Sequence, residues 1–558
     1  MFIASEKNRN RFCLDLIMLL CFSVVVVLPM YFNGIPDGND LSQHYQFAQT
    51  YKAAIADGTI YPGWSAPSNM GFGDVGIRFY PPFAYYVLVA AESVTGNWYD
   101  ASLITFCFWF YLSGIGVYLW TREYFLPNAS LLAAVCYIAA PYHVNQIFNA
   151  FTYAEFAAAA ILPFWFLFVT RVCRYGRTHD VLLLALSYAL LVLTHLPMTV
   201  IGSICLLCFS IFALNKKNLF RGSLRLAVSV GLGLLASSFY WLRMATELNF
   251  VSVATSRFRS VAYDFHSNFL AAFLYVSPSD YDERSLWFSD LMLLMTACLF
   301  LPVLLLVLHR WKRDEIQVLK APIATLCLSV FFATPLSLPI WEHFVALQQT
   351  QFPWRWLAVI TLMGSFLVAA SQTHLIEAFR SNRRPIAILA VGLIVACFVF
   401  TGTQVIKPAI YIQRADFIKR IDTLEGGKSY DCWWPVWSRE QAFDNSARAA
   451  AENRDVAVNS WNSDNRTFTV SPGVATELRI GSFYYPYWKA KLNDLPVAVG
   501  KDENGAILIP LTEEKAVIRL TFDEPQYVRI ANIASLVTLI LIFLSFCIIN
   551  INRRCPLR

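Results

Sequence analysis

Asp40 and His44 stand four residues apart in Gly38-Asn39-Asp40-Leu41-Ser42-Gln43-His44-Tyr45, directly after an apolar run long enough to cross a membrane. Residues four apart share one helix face, so the imidazole can tune the carboxylate or bind a phosphate beside it. The plain alternatives are a helix N-cap for Asp40 and an interfacial polar residue for His44. Asp37 is the second carboxylate of this stretch. Glu155 opens another apolar run, Phe151-Thr152-Tyr153-Ala154-Glu155. An ionisable group there costs about 2.5–3.5 kcal/mol near the bilayer centre, so it reads as functional, or as an acid complementing a helix dipole. Arg355 sits between Trp354 and Trp356, after Gln351 and Pro353. Its guanidinium can grip a phosphate bidentately while the tryptophans stay at headgroup level, or it is an interfacial anchor. His195, in Thr194-His195-Leu196-Pro197, ends a run and either faces the same cavity or is a satisfied interhelical histidine.

The elements that must position these residues are membrane spans. Of 558 residues, 57% are hydrophobic and 15% charged, more apolar surface than a soluble core of that size can hide. The formal charge of +6 does not indicate nucleic acid, because in such a chain the distribution of Lys and Arg carries the information. Most of the 13 cysteines lie in or beside apolar runs, which argues against a disulfide framework. The N-terminus has no A-x-A-like cleavage site after its apolar run and reads as a retained first span. Twelve runs are expected to cross, at about 12–32, 101–120, 128–146, 155–171, 180–196, 198–214, 223–243, 287–309, 320–338, 355–372, 386–406 and 529–551.

The segment 79–96 opens with Pro81-Pro82 and carries Glu92, and charge asymmetry decides its reading. If it is re-entrant or interfacial, the clusters at Arg171, Arg174 and Arg177, at Lys216, Lys217, Arg221 and Arg225, and at Arg380, Arg383 and Arg384 share one side with both termini. The other side, apart from 407–528, then holds only Lys52, Arg78, Arg257, Arg259, Arg284 and Arg355. By the positive-inside rule both termini are cytoplasmic and the Asp40 stretch faces outward.

The outward parts begin with a first loop, 34–100, in which Leu41, Tyr45, Ala48, Tyr51 and Ile55 recur at helical spacing up to Asp57-Gly58. An amphipathic helix along the membrane surface is expected there. Gly71-Phe72-Gly73-Asp74-Val75-Gly76 lacks the Gly-Lys-Ser/Thr ending of a P-loop and reads as a flexible loop or lid. The loop 244–286 collects Glu247, Arg257, Arg259, Asp264, His266, Asp280, Asp282, Glu283 and Arg284. Residues 407–528 form a soluble domain whose second half alternates as strands at 467–470, 477–480, 506–509 and 517–522, with turn signals between them. The expected fold is mainly α: a polytopic membrane protein of about twelve transmembrane helices (1–406), an extracytoplasmic β-sandwich (407–528), and a last helix with a cytoplasmic tail (529–558). Trp433-Trp434-Pro435-Val436-Trp437 can stack on sugars, though core packing is the stronger reading.

The ordered blocks "NDLSQHY", "GTIYPGWSAPSNMGFGDVGIRFYPPFAYY", "TYAEFAAAAILPFWF", "LTHLP", "SSFYWLRMATELNFV" and "QTQFPWRWL" resemble the bacterial membrane-protein family labelled 6-pyruvoyl-tetrahydropterin synthase-related, over roughly residues 30–370. That family looks like a branch of the GT-C glycosyltransferases, and "FYYPYWKAKLNDLPV" is similar to the β-domain of related membrane proteins. No His-x-His pair or other zinc spacing supports soluble pterin chemistry. The resemblance implies transfer of a sugar from a polyprenyl-phosphate donor to an envelope lipid, polysaccharide or protein on the outer face of the cytoplasmic membrane. It puts Asp40, with Asp37 and Glu155 behind it, in the position of the acidic residue that takes the acceptor proton or orients its hydroxyl. His44, Arg355, Gln351, Trp354 and His195 become candidates for substrate binding. A divalent metal requirement stays open, with no dedicated metal site evident. A transporter or flippase, which would carry paired broken helices and midplane charges, and a non-catalytic accessory protein of polysaccharide assembly are the rival readings.

Overall fold

The computed structural model describes residues 6–254, 264–271, 313–380 and 384–554. Among these, nine helices are long and apolar enough to cross a membrane, and ten if Gln317–Ala333 and Pro335–His343, bent by 84° at their break, count as one span. Pro335 accounts for the break, since it has no N–H to continue the helix and forces Thr334 into an extended conformation. The expected twelve are therefore not reached among the described residues. The run 180–196 folds as a helix Thr178–Val192 of 15 residues, about 22 Å long against a hydrocarbon core of about 30 Å. The run 287–309 lies outside the described residues, as do Arg257, Arg259, Asp280, Asp282, Glu283 and Arg284 of the third outward loop.

The segment that opens with Pro81-Pro82 forms a helix Phe83–Thr95 of 13 residues, closed by Gly96 at φ 74°. At about 20 Å it is too short to cross. Its Glu92 is neutralised by Lys52 at 2.7 Å.

The first outward loop supplies the helix Leu41–Ala56, with Leu41, Tyr45, Ala48 and Tyr51 buried as their spacing demands. The stripe ends at Ala54; Ile55 is exposed. The helix, expected along the membrane surface, is also covered by a second helix. Tyr45 packs edge-on to Phe417 at 5.3 Å, and Gln49 donates to the Ile421 carbonyl at 2.8 Å, both on the helix Arg414–Leu424.

The C-terminal domain pairs two antiparallel sheets. One has the order Val456–Trp461, Asn465–Val470, Ala516–Phe522, Trp488–Leu492, Leu495–Val497; the other runs Ala449–Ala451, Thr476–Phe483, Ala506–Leu511, Gly500–Lys501. Alternate residues Phe468, Val470, Leu478, Ile480, Ile507, Ile509, Ile518 and Leu520 are fully buried between them, as period-2 strands require.

Three joints hold this domain over the spans. Ile35–Pro36 pairs with Tyr411–Ile412, and the approach is so close that a Cβ on Gly34 would lie 2.1 Å from the Ile412 carbonyl oxygen. Buried Arg78 donates to Glu247 through Nε and Nη2, both at 2.7 Å, and to Glu524 through Nη1 at 2.6 Å, while Arg243 adds a contact to Glu524 at 3.1 Å. The third joint corrects an expectation: the glycine-rich loop is a packed wedge and not a lid. Phe72 and Val75 enter the core of the β-domain, and the Phe72 carbonyl accepts the Phe483 N–H at 2.8 Å. Trp434 is buried in the same core and Trp433 stacks on Phe79, so these tryptophans pack within the protein.

Candidate active site

Two chain segments with strained turns bring Glu155 and Arg355 together. Glu155 lies in the first turn of the helix Tyr153–Tyr175, after Phe151 at φ 52°. Arg355 lies in the turn Pro353–Trp356, after Gln351 at φ 63°. Positive φ on residues with a Cβ is costly and persists where surrounding structure over-determines it. Arg355 Nε donates to Glu155 Oε2 at 2.8 Å, and Nη1 donates to the Thr350 carbonyl at 2.6 Å and to Gln351 Oε1 at 3.3 Å. Glu155 Oε1 accepts from Tyr142 Oη at 2.5 Å and Gln146 Nε2 at 3.0 Å. Glu155 thus serves as the buried counter-ion of Arg355, with both oxygens engaged. On the arginine only Nη2 takes no partner among the described residues, so its open contact is one nitrogen with two hydrogens, not the two-pronged edge expected.

Trp354 stacks on Phe352 at 5.0 Å and meets Tyr142 edge-on at 6.3 Å. The Arg355 guanidinium lies 4.8 Å from the Phe352 ring. These rings fix the arginine laterally.

Asp40 occupies the N-cap position of Leu41–Ala56, yet its side chain makes no cap hydrogen bond and has no other hydrogen-bond partner among the described residues. Burial raises its pKa from 3.8 to about 6; the Arg355 charge opposes that rise and the Glu155 charge adds to it. The three groups therefore share one electrostatic environment. The backbone geometry is tight here: a Cβ on Gly38 would lie 2.6 Å from both the Asn149 carbonyl oxygen and Phe151 Cβ, so the Asp40 segment is pressed onto the turn that leads to Glu155.

The other candidates separate. Asp37 is ion-paired with Arg420 at 2.8 Å, and Arg420 also reaches Ser42 Oγ at 3.3 Å, which ties the loop to the helix above it. His44 is buried and its Nε2 accepts the Tyr153 N–H at 3.2 Å. The single ring proton is then on Nδ1 and is donated to Tyr85 Oη at 2.7 Å. Burial depresses the His44 pKa to about 3, so it is a neutral strut with no free nitrogen for a phosphate. His195 caps the helix Leu196–Ala213 by accepting the Met198 N–H on Nδ1 at 3.2 Å, which leaves Nε2–H without a partner among the described residues. It lies within electrostatic reach of Arg355 and His44.

Sequence reading missed Tyr80 and Cys432. Tyr80 Oη has no partner among the described residues, and Asp40, Arg355, Glu155 and Cys432 all act on it electrostatically. Burial foremost raises its pKa. Cys432 arrives from the segment before the β-domain and feels Asp74 and Asp40. The signal for Tyr80 was the proline after it, which excludes the helical region and holds the residue extended at φ −102°, ψ 131°. Cys432 was visible only as a cysteine in a polar segment. Among the described residues no three His, Cys, Asp or Glu side chains gather as a metal-ligand set. The arrangement can therefore take a proton on Asp40 and offer donors from Arg355 Nη2, His195 Nε2 and Tyr80 Oη to an anionic group.

A family model described as the 6-pyruvoyl-tetrahydropterin synthase related domain, a membrane protein, matches residues 77–405. A search of curated protein sequences gives no match. Among solved structures the chain is similar to the archaeal oligosaccharyltransferase AglB from Archaeoglobus fulgidus, in complex with an inhibitory peptide and a dolichol-phosphate, at 15% identity and a TM-score of 0.43 over 74% of this chain and 57% of that one. It is also similar to the mycobacterial arabinofuranosyltransferase AftD, at 12% identity and a TM-score of 0.46 over 70% of this chain and 27% of that one. The arabinosyltransferase EmbB from Mycobacterium smegmatis gives 11% identity and a TM-score of 0.34 over 91% and 63%. The chain spans less than two-thirds of the length of each of these proteins.

Proposed function

The chain belongs to the 6-pyruvoyl-tetrahydropterin synthase-related family of membrane proteins, and we propose that it is a membrane glycosyltransferase. In this reading it moves a sugar from a polyprenyl-phosphate donor to an envelope lipid, polysaccharide or protein, on the outer face of a bacterial cytoplasmic membrane with both termini inside. The observation that carries the reading is Asp40: a half-buried carboxylate at an N-cap position that does not cap, held near pKa 6 beside a buried cation.

The chemistry assigns each group one task. The acceptor hydroxyl gives its proton to Asp40 as its oxygen bonds to the anomeric carbon, while the bond from that carbon to the phosphate oxygen breaks. The lipid phosphate leaves as an anion and is met by Arg355 Nη2, with His195 Nε2–H and Tyr80 Oη as further donors. Glu155 orients the arginine and offsets part of its charge, so product is not held too tightly. The family label carries no pterin chemistry into this site.

The test is transfer from a polyprenyl-phosphate sugar to envelope fractions by purified protein, wild type against Asp40→Asn. Loss of turnover in the variant, with the protein still folded, is expected. Full activity in the variant would overturn the assignment. One feature favours a second reading, transport or flipping: the helix pair bent by 84° is the kind of broken span transporters use. Lipid scrambling in vesicles by the Asp40→Asn protein distinguishes it.

A further inference from the structure

The outer domain holds a buried cation that no carboxylate among the described residues neutralises. Arg466 opens the strand Asn465–Val470 and is fully buried. Its Nε, Nη1 and Nη2 have no hydrogen-bond partner among the described residues. Its guanidinium instead lies 4.0 Å from the Trp461 ring and 4.9 Å from the Trp488 ring. Buried guanidinium groups are ordinarily paired and hydrogen-bonded, because an isolated buried charge is expensive. A second arginine, Arg448, reaches the same Trp461 ring at 5.6 Å and has no acidic partner among the described residues. Burial, and after it the like charge of Arg448, pushes the Arg466 pKa down to about 9. Two cations thus lie against one tryptophan, and neither is ion-paired with a carboxylate among the described residues.

Trp461 and Arg448 form part of the wall of a cleft of about 390 Å³, where the end of the helix Leu41–Ala56 and the loop at Met70 meet the β-domain. Asn462, Ser463 and Ser446 line it, and so does Asp57, whose carboxylate is 3.5 Å from Ser463 Oγ. An aromatic face beside hydroxyl, amide and carboxylate groups suits a sugar ring. The excess positive charge suits an acid carried on that ring. Asp57 lies 17 residues beyond Asp40 along the same helix, a separation of about 25 Å. That is too far for one bound donor phosphate to reach both places, and it fits a second portion of a polymer.

We propose that this cleft binds an anionic saccharide, a sugar segment bearing carboxylate or phosphate, with a ring on Trp461 and the anion on Arg448 in the field of Arg466. Its identification as the acceptor's distal segment rests on the glycosyltransferase reading; the binding itself does not. The test uses the full chain in detergent, in the Asp40→Asn form so that no transfer intervenes. Titration with tetragalacturonate, with its methyl ester and with inorganic phosphate separates charge, sugar and free ion. The expected result is that tetragalacturonate binds at least tenfold more tightly than the ester or phosphate, weakens with salt, and loses tenfold or more in Arg448→Gln. Arg448 is exposed, so that variant keeps its fold, and an unchanged melting temperature checks this. No binding of the tetramer, equal binding of the ester or of phosphate, or undiminished binding by Arg448→Gln would overturn the proposal.

Discussion

Glu155 and Arg355 lie 200 positions apart in the chain and meet at 2.8 Å, with side chains 1% and 8% exposed. Attraction in a low-dielectric site barely offsets the desolvation of both groups, so such a pair is a fragile unit: removing one member strands the other. Glu155→Gln keeps the side-chain shape and leaves Arg355 buried without a counter-ion. The expected outcome is a loss of about 3–5 kcal/mol in stability, read as a lower midpoint of thermal unfolding in detergent. Glu155→Gln/Arg355→Gln should recover part of it. A single variant as stable as wild type would show that the arginine is neutralised by something else.

Asp40 gives a pH dependence of defined sign. Its folded pKa of about 6 lies above the ordinary 3.8, so the folded protein holds this proton more tightly than the unfolded chain. Ionisation therefore costs stability as pH rises from about 4 to 6, and the full cost persists above 6. Asp40→Asn should raise the melting temperature by roughly 2–4 °C at pH 7.5, a gain that shrinks towards pH 4.5. The wild-type transfer rate should fall as pH drops through about 6, because the base form disappears. A pH–rate profile that is flat between pH 5 and 7.5 would contradict the assignment of Asp40 as base.

The sequence made the spans and strands readable for the same reason: burial on one face imposes a period. The stripe of Leu41, Tyr45, Ala48 and Tyr51 and the alternation through Phe468 and Val470 both report that single cause. Glu155 and Arg355 stood out separately because charges at the ends of apolar runs are costly, but their pairing depends on how two distant turns pack. The same holds for Arg78, read only as an outward positive charge, which bonds to residues 169 and 446 positions away. The wedge at Phe72 looked flexible because its glycines suggest freedom. Those at 71 and 73 are instead at φ 91° and 77° and shape a fixed turn that delivers Phe72 to the β-domain core.

The Arg78 network sets what happens when the joint is opened. Arg78→Met would leave buried Glu247 and partly exposed Glu524 close together without the guanidinium they share, with Arg243 beside Glu524. Like charges with no shared cation repel, so the β-domain should loosen from the spans before either part unfolds. Limited proteolysis should cut the variant near 407–413 and 523–525 at protease levels that leave wild type intact. Equal resistance of the two proteins would mean that the pairing of Ile35–Pro36 with Tyr411–Ile412 and the Phe72 wedge hold the domain without the Arg78 network.

Orientation is tested at exposed positions on the first loop and the outer domain. Met70 is 54% exposed and Ser446 is exposed, and both line the cleft described above. Cysteines placed at Met70 and Ser446 should react with an impermeant maleimide in intact cells, and one at Asn218 only after permeabilisation. The reverse pattern would invert the positive-inside reading.

Arg355 and Asp40 can be separated by what each variant loses. Arg355→Lys keeps the charge near Glu155 but has no planar fork, so it cannot hold the Glu155 carboxylate through Nε and the Thr350 carbonyl through Nη1 while still presenting Nη2. Its ammonium should stay with Glu155 and withdraw from the cavity. Donor lipid-phosphate binding should then weaken by about tenfold or more, with turnover falling alongside, since a phosphate contact made in ground and transition states is lost from both. Asp40→Asn should instead cut turnover by roughly 10² to 10⁴ and leave donor binding unchanged or slightly tighter, because a negative charge near the phosphate is removed while only the base is lost. Measuring lipid-phosphate binding and sugar transfer on both purified variants resolves the two patterns. Equal loss of donor binding in both would defeat this division of labour, and unaltered donor binding in Arg355→Lys would move the phosphate to His195 and Tyr80.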